Sequence, residues 1–144
     1  MIAKPAGLKI PYPPNVGLVL RGIDLDPKNT TEMLGVIPDS SFKKGDKRKD
    51  GKEWPHGFWT FSSSGKVQSS DLIMHLTWLI EQFEPVKMNL IEILKSRNID
   101  GEISCFWIMP NSNETVVFDP ELLKRIAELE IRFELSIHSP DNDK

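Results

Sequence analysis

Chemistry-bearing residues are few and scattered in this 144-residue sequence, except in one run. Lys43-Lys44-Gly45-Asp46-Lys47-Arg48-Lys49-Asp50-Gly51-Lys52 holds six basic and two acidic residues, a net of +4. With the whole chain at -3, the remainder carries -7. Such a run attracts phosphate, nucleic acid or an acidic protein, and Trp54 and His56 just beyond it are of the types that stack on a base. Two glycines and two aspartates also suit an ordinary solvated loop, and an acidic remainder repels a polyanion beyond the run. Nucleic acid is therefore the weaker expectation. The run is not a phosphate loop, because Lys52 is followed by Glu53 and not by Ser or Thr.

Other catalytic signatures are thin. His56, His75 and His138 are isolated, with no pair at helical i, i+4 spacing, so no metal site and no cofactor are expected. Asp24 and Asp26 would share one side of a strand and suit a hard cation, but Asp26 before Pro27 reads more simply as a helix cap. Cys105 sits in an apolar stretch, where a thiol is packing and not a nucleophile. Ser62-Ser63-Ser64-Gly65 is a serine cluster without a G-x-S-x-G elbow and reads as a turn. No catalytic residue is assigned, since 21 acidic residues offer too many carboxylate pairs to choose among.

The elements that must carry these residues are legible from periodicity and caps. A strand fits Gly17 to Leu25, and Asp26-Pro27 opens a short helix that Gly35 closes. Pro38 to His56 reads as a long polar loop and Gly57 to Ser62 as a strand. Ser69-Ser70-Asp71 opens a helix with Leu72, Leu76, Leu79, Ile80 and Phe83 on one face. Met74 and Trp78, four apart, fall on its polar side, the arrangement expected of a partner or dimer surface unless the N-terminal arm covers it. A second helix is expected from Val86 to Arg97. Ile103 to Met109, apolar on both faces, suits a central strand, and Pro110-Asn111-Ser112-Asn113 suits a hairpin turn into a strand from Glu114 to Phe118. Asp119-Pro120 opens the last helix. The final strand alternates Ile131, Phe133, Leu135 and Ile137 inward with Arg132, Glu134, Ser136 and His138 outward. The order β-α-β-α-α-β-β-α-β predicts an α+β fold, a mostly antiparallel sheet covered by helices.

Size and composition agree. The AVILMFWYC set makes up 39% of residues, enough for one ordinary core without disulfide or metal. A single cysteine excludes an intrachain disulfide framework. The expected organisation is a Pro-rich extended arm over 1–16, one α+β domain over 17–138 and a disordered tail over 139–144. The prolines at 5, 11, 13 and 14 exclude a signal peptide or membrane span there, and the apolar run Leu72 to Phe83 is too short to cross a bilayer. A cytoplasmic location is the expectation.

Several segments then match a known pattern in order and spacing. They are Leu20-Arg21-Gly22-Ile23, Asp26-Pro27, Leu34-Gly35-Val36-Ile37-Pro38, Lys44-Gly45-Asp46 and Trp59 to Ser64. The helix around Leu72 to Phe83, Asp119-Pro120-Glu121-Leu122-Leu123, Ala127 and a closing strand complete it. Together they resemble the bacterial family called domain of unknown function 4279, over residues 17 to 138. The resemblance implies no activity, cofactor or catalytic residue. The Pro-rich arm and the very basic run depart from the pattern.

Three functional expectations follow. The first is a non-enzymatic protein working by contact with a protein partner or as a homodimer, through Met74 and Trp78. The second is a small-ligand-binding or enzymatic module with a pocket between sheet and helices lined by Arg21, Trp54, His56 and Trp59. The third is nucleic-acid binding by Lys43, Lys44, Lys47, Arg48, Lys49 and Lys52.

Overall fold

A computed structural model describes residues 12–140. In chain order the elements are β1 (Asn15–Gly22), α1 (Pro27–Leu34), β2 (Ser40–Phe42), β3 (Gly57–Ser62), α2 (Leu72–Phe83), α3 (Lys87–Leu94), β4 (Asp100–Ile108), α4 (Pro120–Glu128) and β5 (Arg132–His138). A 3-10 turn, Glu84–Val86, joins α2 to α3. The five strands form one sheet in the order β2-β3-β1-β4-β5. Every neighbouring pair is antiparallel except β4 and β5, which run parallel. The architecture is α+β, as the sequence predicts.

Helices cover one face of the sheet. The register places Leu20 beside Trp59 and Leu18 between Phe61 and Ile103. These residues, with Val16, Cys105 and Trp107, join Leu34 of α1, the apolar side of α2, Leu90 and Ile93 of α3, and Leu122 and Ile126 of α4 in a single core. Alternation sends Val19, Arg21, Phe58, Thr60, Glu102, Ser104, Phe106 and Arg132 to the opposite face, where no helix lies among the described residues.

Capping sets where the helices begin. The carboxylates of Asp26, Asp71 and Asp119 accept from Lys28 N–H, Ile73 N–H and Leu122 N–H. Each satisfies a donor that the first turn leaves open. Gly35 ends α1 in the left-handed region, φ 73°, a conformation glycine adopts at no steric cost.

Five local expectations are corrected. β1 begins at Asn15, inside the expected arm, and ends at Gly22, short of Leu25. The chain turns there, Leu25 N–H donating to the Gly22 carbonyl, and position 22 must be glycine because a Cβ on it would lie 1.8 Å from the Asn98 carbonyl oxygen. The rest of the arm and tail, residues 1–11 and 141–144, lies outside the described residues. Inside the expected loop 38–56, β2 adds an edge strand, and a small hairpin follows it, bridged at Lys47 and Glu53. α3 ends at Leu94, before Arg97. Glu114 to Phe118 forms no strand. The edge of β4 that a hairpin would have used is taken by β5, which α4 carries back in parallel, while Phe118 packs edge-on against Phe133. Finally, β4 is not buried on both faces. Cys105 and Trp107 are in the core, whereas Phe106 is exposed beside His138 on the face away from the helices.

Candidate functional site

The α2 helix presents the Met74 and Trp78 pair in different ways. Leu72, His75, Leu76, Leu79, Ile80 and Phe83 bury its inner side. Met74 is 53% exposed. Trp78 is half-buried and stacks on Phe61 of β3, with ring centroids 5.6 Å apart and planes 15° apart. The Lys66 ammonium lies 4.6 Å from the Phe61 ring centre and also bonds Asp39 and the Ser62 carbonyl. Between the turn after β3 and α2 this leaves a shallow groove walled by Val67, Ile73, Met74, Thr77 and Trp78, with Lys66, Asp71 and Glu81 around it. Lys66 is already engaged with Asp39, so Asp71 and Glu81 leave the rim acidic.

The basic run is an ordered hairpin and not a loose loop. Gly45 N–H donates to Trp54 O, Trp54 N–H to Asp46 O, and Arg48 N–H to Lys52 O. Trp54 stacks on Phe42 at 3.7 Å, Phe42 on Phe58 at 5.2 Å, and the Arg48 guanidinium lies 5.0 Å from the Trp54 ring centre. Trp54 is therefore engaged in holding the hairpin to the sheet, which leaves little of the free ring face that base stacking needs. Lys47 pairs with Glu53 and Arg48 with Asp50. Lys43, Lys44, Lys49 and Lys52 make no ion pair among the described residues.

The proposed pocket of Arg21, Trp54, His56 and Trp59 does not assemble. Trp59 is fully buried on the helix-covered face, its indole N–H donating to Thr31 Oγ1 at 3.0 Å. Arg21 pairs in register with Phe58, one residue away, and so points to the opposite face. There it lies 3.9 Å from Glu102, which also accepts from Arg132 at 2.7 Å. His56 donates from Nδ1 to the Gly57 carbonyl. Strand alternation decides the matter: residues 21 and 59 cannot line one cavity.

One constellation escaped the sequence reading. Ser63 and His75 are both buried, at 0% and 1% exposure. Ser63 Oγ accepts from Val16 N–H at 3.1 Å and lies 2.6 Å from His75 Nδ1. His75 Nε2 lies 2.7 Å from the Ser69 carbonyl, which can only accept. Nε2 therefore donates, and in the neutral ring Nδ1 accepts the serine O–H. In an open cleft this is how a histidine base activates a serine. Here it ties the start of β1, the turn after β3 and α2 together. Its only sequence trace is a serine cluster twelve residues before a helical histidine.

Cys105, Asp24 and Asp26 have structural roles. Burial pushes the Cys105 thiol up to about 12, which keeps it protonated. Asp24 accepts from Asn98 at 2.8 Å, and Asp26 caps α1. Among the described residues, no group of three His, Cys, Asp or Glu is placed to hold a metal ion. No helix among them is long and apolar enough to cross a membrane.

The family described as Domain of unknown function (DUF4279) matches residues 12–140. No curated protein and no solved structure shows significant similarity to the chain.

Proposed function

Given that the chain belongs to the Domain of unknown function (DUF4279) family, we propose that it acts in the cytoplasm through protein–protein contact rather than catalysis. The observation that supports this most is the α2 groove. Met74 stands half-exposed beside Trp78 along the groove, and Trp78 stacks on Phe61 and packs on the core, so an apolar surface has a rigid base at one side. Methionine and aromatic residues are enriched where proteins meet. The acidic rim of Asp71 and Glu81 suits a partner segment that inserts an apolar side chain flanked by basic residues.

The test is capture from the native host with wild type and Met74→Asp. Met74 is exposed enough that Asp leaves the fold intact, whereas Trp78→Ala would also remove the Phe61 stack. A basic partner retained by wild type, weakened by added salt and lost with Met74→Asp supports the reading. The same set of proteins retained by both overturns it. A second observation favours an additional acidic contact, the four hairpin lysines that make no ion pair among the described residues. Replacing Lys43, Lys44, Lys49 and Lys52 by Ala should leave capture at the α2 groove unchanged and remove only partners with acidic surfaces.

A further inference from the structure

The two edges of the sheet differ in a way that points to self-association. β2 is three residues long and is pinned by Asp39, whose side chain accepts from Ser62 N–H. Short, tied edges of this kind resist pairing with other chains. β5 is seven residues long. Met109 N–H donates to the His138 carbonyl across the parallel β4–β5 ladder, which sets the phase of that ladder. Residues 132, 134, 136 and 138 turn their backbone groups toward β4. The N–H and C=O groups of Phe133, Leu135 and Ile137 face outward, and nothing among the described residues bonds to them.

Side chains at this edge are apolar on the helix-covered side. Phe133 and Leu135 are only partly buried and Ile137 is 46% exposed. On α4, Arg125 turns toward Glu84. Leu123, 52% exposed, lies about 160° around the helix from Arg125 and so points away from the Glu84 side. An exposed edge with this apolar flank is a template for a further strand.

We propose that β5 pairs antiparallel with β5 of a second copy, about a two-fold axis at Leu135, to make one continuous sheet. The register follows from the strand itself. An axis at Glu134 would set two glutamates face to face, which is destabilising. An axis at Leu135 sets Leu135 against its own copy and Phe133 against the second copy's Ile137, so all three outward residues find backbone partners. Glu134 then faces the second copy's Ser136. This surface is separate from the α2 groove and stands or falls independently of it.

Light scattering on the full chain, at rising protein concentration, reads the outcome. The expected mass is about twice the 16.4 kDa of one chain. Ile137→Lys should halve it with the circular dichroism spectrum unchanged. Leu135→Pro should do the same, because its N–H faces away from β4 and proline is tolerated at such edge positions. Amide exchange of Phe133, Leu135 and Ile137 in the wild type should slow as concentration rises, a readout that needs no variant. A wild type monomeric throughout, or a dimer that Ile137→Lys retains, overturns the proposal. A dimer lost with Met74→Asp but kept by Ile137→Lys also overturns it, while leaving the α2 groove as the contact surface.

Discussion

Replacing Ser63 by Ala removes one oxygen and orphans two buried polar groups. Val16 N–H loses its acceptor, and His75 Nδ1 loses the hydroxyl that donates to it. Val16 and His75 are 0% and 1% exposed, so water does not replace the missing hydroxyl without opening the packing between β1 and α2. An orphaned buried polar group costs about 1–3 kcal/mol, which puts the substitution, with two of them, at about 2–6 kcal/mol. That is a large fraction of the ~5–15 kcal/mol a domain of this size has in total. It corresponds to a fall in Tm of about 5–20 °C. Urea unfolding checks it, with the midpoint moving and the slope unchanged. A His75→Leu background separates the two losses. With the histidine gone, only the Val16 N–H remains to be orphaned, and the second substitution should cost about 1–3 kcal/mol less than it does in wild type. A cost for Ser63→Ala within about 0.5 kcal/mol of zero is what surface changes give. It would refute the reasoning, because it would mean that the serine oxygen does not hold these groups in the folded protein.

Two further predictions rest on protonation. The Cys105 thiol, pushed up to about 12 by burial, should not react with a thiol-specific reagent near pH 8 while folded, and should react fully in denaturant; fast labelling of the native protein would contradict its place in the core. The hydrogen bonds from Arg125 hold the Glu84 carboxyl below its ordinary 4.5. A depressed carboxylate contributes stability that is present above the unfolded-state value and is lost as pH falls through the folded-state value. Arg125→Met should therefore destabilise modestly at neutral pH, by under ~1 kcal/mol because the pair is partly exposed, and match wild type once acid has protonated Glu84. Unfolding curves from neutral to acid pH check this, and a difference that persists in acid would point to lost packing instead.

Local chemistry is legible in this sequence where interacting groups lie close along the chain, and not where they meet across the sheet. Cys105 was legible as packing because its neighbours in the strand are apolar, and the thiol is indeed buried. Asp26 was legible as a cap because a capping carboxylate and its N–H lie two or three residues apart. Met74 was legible as an exposed apolar residue because helical periodicity separates it from the buried side of α2. Trp59 and Arg21 were grouped wrongly because the sheet register decides which face each takes. Trp54 read as a free ring, and only its stacking on Phe42 shows that it is engaged. The Ser63–Val16 bond spans 47 positions, and no local pattern reports it.

By itself, the sequence determined the helices and where they start, most of the strands, the α+β class and the likeness to the family. Those depend on interactions within a few residues: a side chain capping its own helix, a 100° turn per residue, an alternation along one strand. Only the tertiary structure decided that β5 runs parallel beside β4 where a hairpin from 114–118 was expected. It also decided that the basic run folds back onto the sheet, that the helices of the described residues all cover the same face, and that Ser63 meets His75 in the core. Each of these is a choice between pairings of similar local quality, settled by which one buries more apolar surface and leaves fewer polar groups unpaired across distant parts of the chain.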